Sequence, residues 1–142
     1  MKKLIFILCF VVIGCSSSDD DQQQPQQITG LLIGKWTPEI ETNYASNGNV
    51  IVEFDYSEEP CYQMTTFEYK SNGQMVEVSF DFFGGNCVAN PVNNYNYTLS
   101  GNNITFSSGG VQQIVENTNL VLKLKTVDPD GSYEIIQYSK VN

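Results

Sequence analysis

The side chains that could carry chemistry in this chain are its cysteines and carboxylates. The sequence has four cysteines and sixteen acidic residues, but no histidine and no arginine. Without histidine, a serine nucleophile lacks its usual base and the commonest metal ligand is missing. Some carboxylates share a strand face, as do Glu53 with Asp55 and Glu77 with Asp81, but we assign both pairs to solvent-facing strand surfaces. We therefore predict no enzyme activity, no metal site and no cofactor.

The length and net charge of the chain limit the number of domains and the classes of partner. With 142 residues and 41% apolar content, the chain can form one domain with a packed core. Its net charge of −9 would be repelled by a phosphate backbone, which argues against a nucleic-acid partner.

The first fifteen residues carry the most specific motif. Lys2 and Lys3 precede an apolar run over residues 4–13, which is shorter than the roughly 20 residues that a permanent membrane helix needs. The following Val12-Ile13-Gly14-Cys15 resembles a lipobox, the motif read by lipoprotein signal peptidase. The resemblance implies that residues 1–14 are a signal peptide and that lipid on Cys15 anchors the chain to a membrane. The alternative is an ordinary signal peptide with a chance cysteine.

Residues 15–27 form the lipidated cysteine and a polar tether. Ser16 to Gln27 contains no apolar residue, so we expect a flexible, disordered segment. Ser18-Asp19-Asp20-Asp21 resembles the acidic export signal of Bacteroidetes-type surface lipoproteins. That resemblance implies an outer-membrane location with the domain exposed at the cell surface. A generic polar linker is the alternative.

Residues 28–142 are predicted to form an all-β domain. Short alternating runs separated by Gly, Asn and Asp turns predict strands near 33–40, 49–56, 62–70, 74–83, 93–100, 103–108, 111–116, 119–126 and 133–141. Antiparallel strands joined by short turns form a meander. Closing the meander into a barrel leaves no edge strand unpaired. We predict a small antiparallel up-and-down β-barrel of about eight strands, with an open sandwich as the alternative.

Hairpin register can be tested by asking whether apolar residues face one another. A two-residue turn at Asn72-Gly73 places Phe67 opposite Val78 and Tyr69 opposite Val76, with Glu77 on the outer face. A turn at Gly101-Asn102 likewise pairs Leu99 with Ile104 and Tyr97 with Phe106.

Two later hairpins are less regular. A turn at Asn117-Thr118 predicts that Val115 faces Leu120. The loop at residues 128–131 places Glu134 opposite Lys125, which turns Tyr138 outward and leaves either a bulge or a polar wall near the C-terminus.

Cys61 and Cys87 remain once Cys9 leaves with the signal and Cys15 takes lipid. Export would place them in an oxidising compartment, where a structural disulfide is expected. Metal or redox roles are the alternatives, but two isolated thiols without histidine or a C-x-x-C motif suit neither.

Several motifs in order resemble lipocalin-like domain lipoproteins of the Bacteroidetes type. They are L-x-x-G-x-W at 31–36, a T-F-E-Y-K-S-N-G hairpin at 66–73 between the two cysteines, Y-x-x-x-G-N-x-I-x-F at 97–106 and a late L-x-L-x-L strand. The resemblance implies an eight-stranded barrel, closed at its bottom by Gly34 and Trp36, with an internal pocket. One departure is that no arginine is available to pack across Trp36.

Two functions follow from such a barrel. The first is binding of a small apolar ligand by inward aromatic side chains, for which the candidates are Phe67, Tyr69, Phe80, Phe82, Tyr95, Tyr97 and Phe106. The alternative is a structural or interaction protein of the cell envelope or surface, in which these rings only fill the core.

Overall fold

The computed structural model describes residues 30–142, so the predicted signal peptide, the Cys15 lipidation site and the tether lie outside the described residues. A helical turn at 30–32 precedes the strands β1 (Gly34–Tyr44), β2 (Val50–Asp55), β3 (Thr66–Tyr69), β4 (Gln74–Val78), β5 (Phe80–Phe83), β6 (Asn86–Ala89), β7 (Asn93–Ser100), β8 (Asn103–Phe106), β9 (Val111–Asn117), β10 (Val121–Val127) and β11 (Tyr133–Lys140). Two 3-10 helices, η1 (Tyr56–Glu58) and η2 (Tyr62–Met64), connect β2 to β3. No helix in this part of the chain is long and apolar enough to cross a membrane.

Eight strands close into an antiparallel barrel, which confirms the predicted fold. Their order is β1-β3-β4-β7-β8-β9-β10-β11, and β11 pairs back onto β1. Strand β2 is an extra strand that pairs with the second half of β1, and β5 with β6 forms a separate hairpin. The segments predicted as strands at 62–70 and 74–83 are therefore each divided, and β6 is a strand that the sequence did not predict.

The barrel is plugged at the end where β1 begins, which we call the closed end. Trp36 is fully buried there, and its Nε1 donates a hydrogen bond to the Leu32 carbonyl oxygen at 2.9 Å. The Lys140 ammonium lies 5.0 Å from the centre of the Trp36 ring and donates to the Ile33 carbonyl oxygen at 3.1 Å. Gly34 has a φ of +138°, and a Cβ there would come within 2.7 Å of the Lys140 side chain. A lysine therefore packs across the tryptophan in a chain that has no arginine.

The hairpin at Gly101-Asn102 has the predicted register, with Leu99 opposite Ile104 and Tyr97 opposite Phe106. The register predicted around Asn72-Gly73 is wrong by one residue. The connection is a three-residue loop in which the Lys70 amide donates to the Gln74 carbonyl and Gly73 adopts a φ of +79°.

This one-residue difference reverses which β4 side chains face the interior. Tyr69 pairs with Met75 and Phe67 pairs with Glu77. Glu77, which the sequence assigned to solvent, therefore faces the same side as Phe67.

The β10–β11 hairpin repeats this loop. The Asp128 amide donates to the Ser132 carbonyl, and Gly131 has a φ of +87°. Lys125 consequently pairs with Ile135 rather than Glu134, and Tyr138 is buried instead of turned outward. Neither a bulge in β11 nor a polar wall is needed, because the assumed register was one residue out.

The β9–β10 connection is longer than the predicted two-residue turn. Thr118 Oγ1 accepts hydrogen bonds from the Leu120 and Val121 amides, and Leu122 pairs with Asn117. The predicted pairing of Val115 with Leu120 is wrong, since Leu120 lies in the loop and is 64% exposed.

Candidate functional site

Two adjacent cavities lie inside the barrel beyond the plug. The first measures about 160 Å³ and the second about 180 Å³. Phe67, Glu77 and Tyr138 line both of them, so the two spaces meet at these side chains. The Phe67 and Tyr138 rings meet edge to face with their centres 5.5 Å apart. Both spaces are open on one side, and each has a volume close to the roughly 150 Å³ that can hold a benzene ring.

A third cavity of about 500 Å³ forms the opposite end, which we call the open end. Its lining residues are Glu41, Phe54, Asp55, Tyr56, Glu58, Glu59 and Tyr62. Tyr56 and Tyr62 also line the second interior cavity, and their ring centres are 5.2 Å apart. The three cavities thus follow one another from an acidic mouth to an aromatic interior.

The predicted disulfide helps to position this mouth. Cys61 and Cys87 are bonded, with their Cα atoms 5.2 Å apart. The bond attaches the start of η2, where Tyr62 lies, to strand β6 of the separate hairpin. It therefore holds a segment that covers the open end and that has only two short 3-10 helices of its own.

Five of the seven predicted ligand-contacting aromatics line the interior cavities. Phe67, Tyr69, Tyr95 and Phe106 line the first cavity, and Phe67 and Phe80 line the second. Whether they bind a ligand stays a prediction.

The other two predicted aromatics lie elsewhere. Tyr97 is buried, but its ring packs against Tyr69 and its hydroxyl donates to the Lys70 carbonyl oxygen at 2.9 Å, so it supports the wall. The inward orientation predicted for Phe82 is wrong, because the chain leaves the barrel after Val78 and Phe82 is 71% exposed on β5.

The interior also contains residues that the sequence did not single out. Tyr138 and Glu77 were assigned to the outer face by the register error, and Tyr56 and Tyr62 belong to 3-10 helices that have no strand periodicity to reveal them. Glu41 follows a register shift between Pro38 and Ile40, beyond the end of the predicted first strand.

The polar groups of the site are carboxylate acceptors and phenol donors. Glu77 accepts hydrogen bonds from the Tyr95 hydroxyl at 3.2 Å and from Asn93 Nδ2 at 3.4 Å. Glu41 accepts from Asn43 Nδ2 at 2.9 Å and from the Tyr56 hydroxyl.

Burial raises the pKa of the Tyr69 and Tyr138 hydroxyls, and burial followed by the hydrogen bond to Glu41 raises the pKa of Tyr56. The phenols therefore remain protonated donors at neutral pH. Within residues 30–142, no group of three or more His, Cys, Asp or Glu side chains is arranged to hold a metal ion.

Comparison with known proteins gives one family and several similar folds. Residues 32–138 match the family model described as a lipocalin-like domain. Bovine odorant binding protein in complex with undecanal is 16% identical, with 78% of this chain and 72% of that chain covered and a TM-score of 0.42. Aphrodisin, a sex pheromone from female hamster, is 19% identical, with 78% and 76% covered and a TM-score of 0.39. No curated protein matches the sequence significantly.

Proposed function

Because the chain belongs to the lipocalin-like domain family, we propose that it is a membrane-anchored binding protein that holds a small, largely apolar ligand inside its barrel. The observation that carries the proposal is the succession of cavities behind the mouth, lined by aromatic side chains and a few polar groups. Ligand sites combine an apolar lining with a small number of polar groups in this way. A barrel whose interior served only for stability would be filled by side chains.

Anchoring through lipid on Cys15 is the second part of the proposal. The lipobox-like Val12 to Cys15 supports it, and the acidic stretch Ser18 to Asp21 supports placement on the outer membrane at the cell surface of a Bacteroidetes-type bacterium. The described chain starts beside the closed end, next to Leu32 and Trp36.

An interaction protein of the envelope is the second candidate, favoured by exposed apolar side chains outside the barrel. Phe82 and Phe83 are 71% and 78% exposed at the end of the β5–β6 hairpin, and Ile51 is 64% exposed on β2. Exposed apolar surface of this kind often marks a contact with another macromolecule.

Binding of a neutral aromatic probe tests the first candidate. The full chain in a deuterated nonionic detergent is titrated with 2-phenylethanol, and transfer of saturation from protein to probe is measured by NMR. We expect a saturable signal. Gln112 lines the first interior cavity, whereas its neighbour Gln113 is exposed on the other side of β9. Gln112→Trp should therefore fill the cavity and reduce the signal several-fold, while Gln113→Trp leaves it unchanged.

No saturable transfer to the native chain would overturn the binding proposal and favour the interaction protein. Equal signals from the Gln112→Trp and Gln113→Trp variants would place the probe outside the barrel, with the same consequence.

A further inference from the structure

Glu77 gives the interior a negative charge at a central position. It lies where the two interior cavities meet, directly across the β3–β4 pair from Phe67. Its two described hydrogen-bond donors, Tyr95 and Asn93, are neutral groups. Hydrogen bonds from neutral groups orient a carboxylate without cancelling its charge, so Glu77 can still pair with a cation.

The described chain supplies no such partner. Lys70 and Lys123 form ion pairs with Glu68 and Glu116, and Lys35 is exposed on β1. The other two described lysines each lie over an aromatic ring, Lys125 over Tyr133 and Lys140 over Trp36. No lysine of residues 30–142 lines the mouth or either interior cavity.

Two phenol side chains, Tyr69 and Tyr138, add polar groups to the first cavity. Tyr69 and Tyr138 are 3% and 5% exposed, and both line the first cavity. Among the hydrogen bonds within residues 30–142, none involves either hydroxyl, whereas the Tyr95 and Tyr97 hydroxyls are both bonded. These two hydroxyls are therefore available to a bound molecule, because a phenol can both donate and accept a hydrogen bond.

From these contacts we infer that the ligand is an organic cation, an ammonium group attached to an apolar body, with its charge held beside Glu77. Phe67, Tyr95 and Tyr138 line the same cavity as the carboxylate, and an ammonium group is attracted both to aromatic rings and to a carboxylate. The free phenol hydroxyls can accept hydrogen bonds from an ammonium group. This inference rests on the proposed binding function and specifies the chemical class of the ligand.

The mouth favours the same class. Four of its lining residues, Glu41, Asp55, Glu58 and Glu59, are acidic. A cleft lined by one sign of charge attracts ligands of the opposite sign and raises their rate of association. An anionic ligand of the same shape would be repelled first at the mouth and again beside Glu77.

Three probes that share one carbon skeleton separate charge from shape. They are 2-phenylethylamine, which is a cation at neutral pH, neutral 2-phenylethanol and anionic phenylacetate. Each is titrated into the full chain in the same detergent, and its Kd is measured by NMR. We expect the amine to bind at least about tenfold more tightly than the alcohol, since a charged hydrogen bond or a desolvated cation–π contact contributes about that factor. Phenylacetate should bind most weakly.

The variant Glu77→Gln should remove most of the preference for the amine, measured as the ratio of the Kd of the alcohol to the Kd of the amine on the same variant. The matched control is Glu68→Gln, because Glu68 lies on the neighbouring strand and faces outward beside Lys70. That control should keep the preference. The alcohol also reports whether each variant is folded, since its binding needs an intact barrel.

Equal binding of the amine and the alcohol would overturn the assignment of a cation while leaving the binding function intact. The same conclusion would follow if Glu77→Gln kept the preference for the amine. Failure of all three probes to bind the native chain would instead overturn the binding function, and the inference with it.

Discussion

The two ends of the barrel differ in how tightly aromatic rings are packed and in whether a lysine lies beside them. At the closed end Trp36 is completely buried, its ring nitrogen is hydrogen-bonded and Lys140 lies over its face. Toward the open end, Phe67 and Tyr138 border empty space, the Tyr138 hydroxyl has no hydrogen bond within residues 30–142, and Glu77 has no cation beside it. The chain itself completes the closed end, whereas the interior toward the open end presents a carboxylate beside which no lysine of residues 30–142 lies.

The largest effect is expected at the closed end. Replacing Trp36 by alanine removes the largest fully buried side chain and leaves a cavity under Leu32, which should lower the free energy of unfolding by about 3–5 kcal/mol. Phe67→Ala is the matched change near the interior cavities, where space already exists, and should cost less than half as much. Denaturant unfolding of both variants measures the difference. Equal losses would show that the closed end and the interior cavities are packed alike.

Removal of the disulfide should cause the second-largest loss of stability, and the structural change should be confined to the open end. Replacing both Cys61 and Cys87 by serine releases the segment that carries Tyr62 and should lower the free energy of unfolding by about 3 kcal/mol. Since Trp36 is the single tryptophan of the chain and lies at the closed end, its fluorescence reports that end alone.

We expect unchanged tryptophan emission in the folded double variant, together with weaker binding of 2-phenylethanol. A shifted emission spectrum would mean that the bond also supports the closed end. Unchanged probe binding would mean that the segment held by the bond does not form part of the site.

The sequence predicted the barrel because its strand periodicity and its turn residues agree with each other. It predicted register correctly only at Gly101-Asn102, where the turn has two residues. Elsewhere a glycine with positive φ ends a three-residue loop, as at Gly48, Gly73, Gly109 and Gly131. Counting such a loop as a two-residue turn shifts the partner strand by one residue.

The same one-residue error in register explains why some side chains of the site could not be assigned to the interior from the sequence. Rings on strands whose own alternation is clear, such as Phe67 and Tyr95, could be assigned to the interior from the sequence. Glu77 and Tyr138 could not, because each follows a three-residue loop and a shift of one residue moves a side chain to the other face. Loop length, rather than hydrophobicity, therefore decides which charged residue enters the barrel.

The smallest expected effect concerns a second carboxylate near the open end. Burial raises the pKa of Glu134 above its ordinary value of 4.5, nearby Glu41 and Asp128 add to the increase, and a hydrogen bond from Thr126 partly opposes it. The folded chain therefore holds this proton more tightly than the unfolded chain. The resulting stability is present below pH 4.5 and is lost as the pH rises through the raised pKa.

Above that range the charged form destabilises the fold, so Glu134→Gln should raise the free energy of unfolding at pH 7. Solvent screening at this half-buried position limits the gain to about 0.5 kcal/mol, and the gain should disappear below pH 4.5. Glu116→Gln is the control, since Glu116 pairs with Lys123 at 2.9 Å and its replacement should give no gain at pH 7. Denaturant unfolding at both pH values measures the difference. A loss of stability in Glu134→Gln at pH 7 would show that the chain already compensates this charge, which would leave Glu77 as the uncompensated carboxylate toward the open end.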